Sequence, residues 1–439
     1  MIGCGYLGAV HAACMAELGH DVVGVEVDER RVGDLAAGRA PFHEPGFDEL
    51  LARALATGRL RFTSDVAQAA SAQVHFLCVG TPQQADGLGA DLSYVDAAVA
   101  SLIPLLAPHP DGPVVVVGKS TVPVGTAERL AAQLAEGAPA AAPTLVWNPE
   151  FLREGFAIKD TLSPDRIVYG IQDGAAGETA RDVLDAVYAD LLGQGIPRLT
   201  TDYATAQLVK VAANSFLATK ISFINAMAEL CEASGADVTE LAQAIGYDDR
   251  IGPKFLRAGL GFGGGCLPKD IRAFMARAGE LGVDEALTFL REVDAINLRR
   301  REHAVNLARA ACGGDVVGRR IAVLGAAFKP DSDDIRDSPA LAVASTLHDL
   351  GADVVVTDPA ALENVRRARP RLVVEPDVMA AVTGAEVVLL ATEWPGYLAL
   401  DPTAVGDVVS ERSIVDARNA LDARRWRQAG WTYRGMGRR

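Results

Sequence analysis

One cysteine lies at the end of a glycine-rich stretch, G-L-G-F-G-G-G-C-L-P-K-D, which covers residues 259–270. Glycines carry no side-chain bulk, so the backbone there can approach a ligand closely and present Cys266 without obstruction. Lys269 and Asp270 follow within four residues and place a cation and a carboxylate near the same sulfur. Because a thiol attacks as its thiolate, this pattern is typical of covalent catalysis by cysteine.

The alternative is that Cys266 is a small buried hydrophobe, the commonest state of a free cysteine. Apolar or small residues surround the other cysteines, which fit that alternative well: Cys4, Cys14, Cys78, Cys231 and Cys312. Cys266 fits it poorly because a glycine run offers a packed core few contacts. The sequence has no C-x-x-C pair or zinc-like spacing, so we expect neither a disulfide framework nor a metal site.

A dinucleotide-binding pattern lies near the N-terminus, where G-C-G-Y-L-G over Gly3–Gly8 fits G-x-G-x-x-G. A helix is predicted over Ala9–Leu18, ending at Gly19. Such glycines let a pyrophosphate approach the helix N-terminus. Only Met1 and Ile2 precede the pattern, although a complete strand is usual there. We therefore expect translation to start upstream, or Met1 to stand where an internal valine codon is read as a start.

The acid that this pattern requires is also present. Val22–Val27 is predicted as a buried strand, and its Glu26 follows Gly8 by 18 residues, where a carboxylate that binds the adenosine ribose is expected. Asp28 is the competing ribose ligand. Because such a carboxylate repels a 2′-phosphate, the sequence favours NAD over NADP.

Three further buried strands are predicted before residue 150: Val74–Val79, Val114–Gly118 and Leu145–Trp147. They run into G-T-P, K-S-T-V-P-V-G and N-P-E-F-L-R-E-G, and the carboxyl ends of parallel strands are where ligands bind in such sheets. If the last segment is helical, Glu150 and Glu154 lie one turn apart on one face. The alternative for both is an ordinary solvated surface.

A long helix is predicted from Asp202 to about Ser234, since neither proline nor glycine interrupts the apolar periodicity until Gly235. Lys210 and Asn214 share one face of this helix within an apolar stretch. A lysine in such surroundings requires a partner or a function, although a snorkelling surface lysine is the alternative.

The last third of the chain restarts the α/β alternation, with a strand over Arg320–Gly325, a helix over Pro339–His348 and a strand over Val354–Thr357. No G-x-G-x-x-G follows the first of these strands, so a nucleotide would bind differently here. The cations we expect beside phosphates are Lys329, Arg336 and Arg418. A solvated loop is the alternative for each.

Composition narrows the class of protein. The 439 residues are 49% apolar without a membrane-length apolar run or a targeting signal, and the default location is the cytoplasm. A net charge of -15 disfavours nucleic acids and anionic membranes as partners. An anionic ligand would need locally concentrated cations.

Together, these motifs resemble those of the UDP-glucose/GDP-mannose dehydrogenase family over essentially the whole chain. The shared motifs also include Y-D-D-R-I-G at 247–252, A-F-K-P at 327–330 and D-A-R-N at 416–419. The resemblance implies an α/β fold with two Rossmann-like doubly wound parallel-sheet domains, joined by a long helix in an all-helical dimerisation region. The implied domains are NAD-binding 1–200, central 201–300 and UDP-sugar-binding 301–439.

The resemblance also implies an activity, a four-electron oxidation of UDP-glucose to UDP-glucuronate by two NAD molecules in a homodimer. Cys266 would form a thiohemiacetal and then a thioester. Implied catalytic residues are Cys266, Lys210, Asn214, Asp270, Glu154 and Thr121. NAD would be bound by Gly3, Gly5, Tyr6, Leu7, Gly8, Glu26, Arg31, Thr81, Pro82, Thr121, Glu154, Lys269 and Arg418. The sugar nucleotide would be bound by Glu150, Phe151, Leu152, Lys210, Asn214, Arg250, Lys254, Phe262, Gly263 and Lys329, with Arg250 reaching the neighbouring subunit's site.

Two alternatives stay open at this point. The substrate could instead be GDP-mannose or a UDP-N-acetylhexosamine, because base and sugar recognition cannot be derived from one sequence. A non-catalytic nucleotide-sugar-binding protein is the other alternative, favoured by the short first strand and opposed by the complete set of Cys266, Lys210, Asn214 and Asp270. Glu26 stands where many members of the family carry the shorter aspartate.

Overall fold

A computed structural model describes residues 1–438 and divides into two compact units. The first unit contains residues 1–213 and 272–281, and the second contains 214–271 and the described residues from 282 onwards. Both are α/β units of the Rossmann-like kind, with a mainly parallel sheet in the first and a parallel sheet in the second. The finer division at residues 200 and 300 stays a prediction.

The strands of the first unit are short and parallel with one exception. They are β1 Val22–Val25, β2 Leu60–Thr63, β3 Val74–Leu77, β4 Val115–Gly118, β5 Thr144–Trp147, β6 Ile167–Gly170 and β7 Arg198–Thr201. Within the described residues β1 pairs with β2, the others follow in the order β3-β4-β5-β6-β7, and only β5 and β6 are antiparallel. All residues of β4 and β5 are buried, as expected for strands covered on both faces.

The place of the first strand is occupied by Ile2, which makes parallel bridges to Val25 and to Leu77. The Val25 N–H donates to the Met1 carbonyl at 2.8 Å, and the Ile2 N–H donates to Phe76 at 2.7 Å. These bonds place the glycine pattern at the carboxyl edge of the sheet.

The helices of the first unit follow the strands in alternation. They are α1 Tyr6–Glu17, α2 Glu29–Ala36, α3 Phe47–Ala56, α4 Ser93–Leu102, α5 Thr126–Gly137, α6 Ala157–Leu162, α7 Ala175–Val187 and α8 Ala189–Gly193. The predicted first helix is confirmed and begins three residues earlier than expected. Gly19, with φ +97°, lies just beyond its end.

The second unit begins within the long helix α9 Tyr203–Ser234, which confirms the predicted 30-residue helix. Along the chain, α9 is followed by α10 Val238–Gly246, α11 Leu267–Glu280 and α12 Thr288–Ala311. Of α11, the residues from 272 onwards belong to the first unit. Short 3-10 helices cover Val66–Ala69, Ile103–Leu105 and Asp284–Leu287. No helix within residues 1–438 has both the length and the apolar composition of a membrane span.

The sheet of the second unit is parallel throughout the described residues, in the order β10-β9-β8-β11-β12-β13. Its strands are β8 Arg320–Leu324, β9 Asp353–Thr357, β10 Val373–Val374, β11 Val387–Leu390, β12 Ser413–Asp416 and β13 Thr432–Gly435. Its helices are α13 Pro339–Asp349, α14 Leu362–Ala368, α15 Val378–Val382, α16 Pro395–Leu398, α17 Pro402–Gly406 and α18 Ala423–Gln428.

The predicted strands Val22–Val27 and Val74–Val79 each end two residues early, and the helix considered for residues 148–155 is absent. The strand predicted over Val22–Val27 ends at Val25, because Asp28 caps α2 by accepting from two backbone N–H groups and turns the chain outward. Val27 is consequently exposed. The segment 148–155 is irregular rather than helical, so Glu150 and Glu154 are not related by a helical turn.

Candidate active site

The three glycines of the G-x-G-x-x-G pattern differ in what a side chain would meet at each position. Gly3 has φ +86°, and a Cβ there would lie 2.7 Å from a methyl group of Val79. A Cβ on Gly8 would collide with the Gly3 carbonyl. At Gly5 a Cβ would meet no atom within 4 Å, so the loop faces open space at that residue. Packing within the protein therefore requires glycine at Gly3 and Gly8, whereas the space beside Gly5 is open to a ligand.

The N-terminus of α1 suits an anionic group. Gly5 offers no side-chain cap and the first turn, which contains Tyr6 and the half-buried Leu7, has no acidic residue. Its first backbone N–H groups could thus donate to an anion such as a pyrophosphate. Beside it, the buried Glu26 accepts from the Cys4 N–H at 3.0 Å and from the Asp28 N–H at 3.1 Å.

Glu26 is better placed than Asp28 to serve as the ribose ligand. One oxygen of Asp28 accepts the N–H groups of Arg30 and Arg31, and the other lies 3.6 Å from Nε of Arg31. Both Asp28 oxygens therefore already interact with residues of α2. Each Glu26 oxygen accepts one hydrogen bond and can accept another from a ribose hydroxyl. The residues present fit NAD.

Thr81 and Thr121 meet at neighbouring strand ends. The Thr81 hydroxyl donates to the Thr121 carbonyl at 2.7 Å, while Pro82 is exposed beside them. This contact brings together the predicted G-T-P and K-S-T segments of the first unit.

Lys210 has a carboxylate partner in the loop that follows β5. Its Nζ lies 2.8 Å from Oε1 of Glu150, and the two side chains are only 5% and 13% exposed. The other Glu150 oxygen accepts the Leu152 N–H at 2.6 Å. Two cations lie near the Phe151 ring, with Nζ of Lys210 at 5.7 Å and the guanidinium of Arg166 at 3.8 Å from its centroid. The alternative of a snorkelling lysine is excluded, since Lys210 is buried.

Sequence reasoning missed the role of Lys119, which fixes the start of this loop. Its buried ammonium donates to the Asn148 side-chain oxygen at 2.9 Å and lies 3.4 Å from the Asn148 carbonyl. The Asn148 amide in turn donates to Val168 at 2.9 Å. Burial lowers the pKa of Lys119 to about 8. The K-S-T motif contained the signal, but its neighbouring residues gave no indication of this partner.

A buried polar cluster surrounds Asp270 in the second unit. The Asn214 amide donates to one Asp270 oxygen at 2.6 Å, and the Lys269 ammonium lies 2.6 Å from the other. Asp270 is buried, so its carboxylate orientation is fixed by both partners. The structure therefore brings Asn214, Lys269 and Asp270 together, while their predicted roles stay predictions.

Cys266 differs from every other cysteine in the chain. All six lie in the described part, and Cys266 is the exposed one, while the others are buried or, at Cys312, half-buried. It directly precedes α11, and its carbonyl accepts the Asp270 N–H at 3.0 Å. The N-terminal end of a helix favours negative charge at such a position. Its expected exposure is confirmed.

The glycines before Cys266 are required chiefly by the protein itself. A Cβ on Gly261, whose φ is +86°, would collide with the side chain of Asn297, and one on Gly264 would lie 2.8 Å from the Phe328 ring. The Asn297 side chain also forms two hydrogen bonds to the backbone of the buried Phe262. Its oxygen accepts the Phe262 N–H at 2.7 Å, and its NH₂ group donates to the Phe262 carbonyl at 2.9 Å. The first interpretation, close approach to a ligand, therefore missed this packing role. Nothing in the sequence indicated Asn297.

A further glycine of this loop, Gly263, is buried against the chain just before α13. A Cβ there would collide with the Asp337 carbonyl and lie 2.6 Å from Pro339. This position therefore also excludes any larger side chain, and its predicted contact with a substrate stays a prediction.

The predicted cations of the second unit have several partners. Arg418 donates to the carbonyls of Ala391, Gly261 and Phe328 at 2.7, 3.1 and 3.0 Å, which fixes the glycine loop against the sheet. Lys329 lies 5.3 Å from the Phe328 ring, and Arg250 forms two hydrogen bonds to Asp248. Lys254 is exposed, and Arg336 pairs with Asp334. Ligand contacts of these residues stay predictions.

The remaining predicted residue, Glu154, is half-buried in the first unit, next to Gly155. Its charge contributes to raising the pKa of Tyr6, so the two side chains interact electrostatically. No group of three or more His, Cys, Asp or Glu side chains that could hold a metal ion occurs within residues 1–438.

Three descriptions of one family match the chain in order. Residues 1–192 match the NAD binding domain of the UDP-glucose/GDP-mannose dehydrogenase family, 204–299 its central domain, and 322–423 its UDP binding domain. The chain belongs to this family. The predicted resemblance is confirmed, and so is NAD as the cofactor.

Individual members of the UDP-glucose/GDP-mannose dehydrogenase family are similar over their full length. The UDP-glucose 6-dehydrogenase of Rhizobium meliloti is 44% identical over 439 residues, covering 100% of this chain and 99% of the relative. A UDP-glucose dehydrogenase structure from Pyrobaculum islandicum has a TM-score of 0.89 and 39% identity, with 100% and 97% of the two chains covered. A UDP-D-ManNAc dehydrogenase structure from Pyrococcus horikoshii has a TM-score of 0.86 and 27% identity, with 100% and 98% covered.

Proposed function

We propose that this chain oxidises the 6-hydroxymethyl group of UDP-glucose to the carboxylate of UDP-glucuronate with NAD. The observation that carries this proposal is the exposed Cys266 at the N-terminus of α11, one helical turn before a buried Asp270 held by Asn214 and Lys269. A simple alcohol dehydrogenase needs no cysteine, whereas an acid product formed through a thioester does. The relatives named for UDP-glucose support this substrate.

Different side chains act in the two oxidations, first of the alcohol and then of the thiohemiacetal. Lys210 stabilises the negative charge that develops on the substrate oxygen, while Asn214 and Asp270 orient that oxygen. Bound NAD supplies the hydride acceptor for each oxidation. Cys266 attacks the aldehyde to give a thiohemiacetal, and loss of a second hydride converts this adduct into a thioester.

Hydrolysis of the thioester then requires an oriented water. Thr121, Glu154 and Asp270 are the groups that would hold this water and accept its proton. Glu150, paired with Lys210, holds the lysine ammonium in place during the first oxidation. The cofactor is held by the Gly3–Gly8 loop and Glu26.

Different residues would contact the sugar and the diphosphate of the substrate. Phe151 and Leu152 are half-buried in the segment that carries Glu150 and would contact the sugar. Lys329, beside Phe328, supplies positive charge for the diphosphate. The relative named for UDP-D-ManNAc makes a UDP-N-acetylhexosamine the second candidate substrate.

A homodimer is the proposed assembly. Phe216, Phe223 and Leu230 recur every seven residues along α9 and are 67%, 49% and 60% exposed, which leaves an apolar stripe on one helix face. Covering this stripe with a second copy would remove large side chains from water. Phe223→Glu is expected to yield a monomer in sedimentation velocity, and an unchanged dimer would contradict this assembly.

The proposal is tested by the amount of NADH formed per UDP-glucose consumed. We expect two NADH per sugar in the wild-type protein and neither turnover nor acid product in Cys266→Ser. One NADH per sugar would contradict the thioester route. Sugar binding without NADH would indicate a non-catalytic protein, and turnover restricted to a UDP-N-acetylhexosamine would identify the second candidate.

A further inference from the structure

Glu44 is a buried carboxylate that none of the roles above includes. One oxygen accepts the Gly155 N–H at 2.6 Å, and the other accepts the Ala157 N–H at 2.7 Å. Ala157 is the first residue of α6, whose own N-cap residue, Phe156, provides no side-chain cap. Glu44 therefore supplies from a distant part of the chain the cap that α6 lacks locally.

The same carboxylate also reaches the cofactor loop. The Tyr6 hydroxyl donates to the oxygen that binds Gly155, and the Gly155 N–H lies 3.1 Å from the Tyr6 oxygen as well. Burial, with the hydrogen bond to Glu44, raises the pKa of Tyr6, so the phenol keeps its proton for donation. Phe42 packs against the Tyr6 ring, with centroids 4.8 Å apart.

Gly155 directly follows Glu154, and its φ of +79° fixes the turn at that point. A shift of the Gly155 N–H away from Glu44 would therefore carry the Glu154 backbone with it. The position of Glu154 thus depends on this bond, and proton transfer from a water to Glu154 is sensitive to displacements of about 1 Å.

We propose that Glu44 is a positioning residue that fixes Glu154 for hydrolysis of the Cys266 thioester and ties it to the cofactor loop through Tyr6. This inference rests on the proposed function. In the step concerned, water adds to the thioester carbon and gives one proton to Glu154, the C–S bond breaks, and that proton passes to the departing Cys266 sulfur. The new carboxylic acid releases its remaining proton to solvent, so the products are a carboxylate, the Cys266 thiol and one proton. No electrons are transferred, so a slow hydrolysis leaves both hydride transfers intact.

The test is rapid mixing of UDP-glucose and excess NAD with wild type and Glu44→Gln. The amide keeps the volume but places an NH₂ group against a backbone donor, so the loop loses one bond. We expect a burst of two NADH per site in Glu44→Gln, followed by steady turnover at least about tenfold slower than wild type. Intact mass should show the sugar nucleotide on Cys266. A merely structural role would lower the amount of active enzyme without producing a burst or an adduct.

Two further variants sharpen the comparison. Tyr6→Phe keeps the bonds of Glu44 to Gly155 and Ala157, so it should raise KM for NAD without a burst. Asp237→Asn, which weakens a comparable cap on Thr239 in the other unit, should behave as wild type.

The outcomes separate the two proposals. Wild-type kinetics in Glu44→Gln, or activity lost without an adduct, would overturn the role of Glu44 while the proposed function stands. If Glu44→Gln does not fold, Glu44→Asp, with its shorter reach, takes its place. Failure of both to fold would assign Glu44 to stability alone. A wild type that forms no NADH would overturn both proposals.

Discussion

Lys210 and Glu150 form a buried ion pair whose Nζ–Oε1 distance is 2.8 Å. Lys210 lies on α9, and Glu150 lies in the irregular segment after β5, so the bond joins an element of regular structure to a loop. Burying either charge without the other costs free energy, so each residue stabilises the buried position of the other. The loop conformation is consequently coupled to a charge that the proposed chemistry requires.

This coupling predicts a specific pattern of stability. Glu150→Ala should lower the free energy of unfolding by about 3 kcal/mol, because it removes a carboxylate that compensates a buried ammonium. The double variant Glu150→Ala/Lys210→Met should recover part of that loss, since neither charge is then buried, yet it should stay inactive. Urea titrations of the single and double variants measure the coupling. Additive losses in the double variant would contradict it.

Cysteine accessibility gives a prediction independent of turnover. At neutral pH iodoacetamide should alkylate Cys266 within minutes and Cys312 much more slowly. Burial raises the pKa of Cys4 and of Cys14 to about 12 and that of Cys78 to about 11, so those thiols should react only after denaturation. Peptide mapping identifies the labelled site, and bound UDP-glucose should slow its labelling. Equal labelling of Cys266→Ala and wild type would contradict the assignment.

How much of the fold followed from sequence depended on the length of the pattern. Helix α9 was predicted within one residue at its start, because helical periodicity continues for some 30 residues without glycine or proline. The strand at Val22 was predicted two residues too long, since periodicity does not show where Asp28 caps the next helix. The turn chemistry of one side chain ended the strand there.

Some residues of the candidate site could be predicted from sequence motifs, and others could not. Cys266, Lys210, Asn214 and Asp270 lie in motifs whose composition signals chemistry, and they were found. Asn297 was not, because one asparagine among the apolar and charged residues of a 24-residue helix gives no indication that it holds Phe262, 35 residues away in the chain. Residues that act through backbone hydrogen bonds across long sequence separations leave no local pattern.

The glycine loop predicts a contrast between two alanine substitutions. Gly261→Ala should destabilise the second unit strongly, because its φ is +86° and the new Cβ collides with Asn297. Gly252→Ala has a similar φ of +69° but meets no atom within 4 Å, so it should cost only about 1 kcal/mol. The difference between the two in urea unfolding isolates the steric contribution. Equal losses would show that φ alone requires glycine at residue 261.

Lys119 predicts how stability depends on pH. Burial lowers its pKa from 10.5 to about 8 in the folded chain, so between these values the unfolded chain binds the extra proton. Its contribution to the free energy of unfolding therefore rises as pH increases from 8 to 10.5, by roughly 3 kcal/mol in total, because deprotonation removes the cost of burying the charge.

Below pH 8 the ammonium is charged in both states and its burial penalty is fully present. Urea titrations at pH 8, 9 and 10 should show this contribution in wild type and in the surface control Lys159→Met, as a rise in the free energy of unfolding relative to that of Lys119→Met. Lys119→Met should lack it, because no proton is bound or released at that site. The comparison is made as a difference between variants, since burial also raises the pKa of Cys78 and so gives an opposite slope in all of them. Parallel curves for wild type and Lys119→Met would show that Lys119 keeps an ordinary pKa when folded.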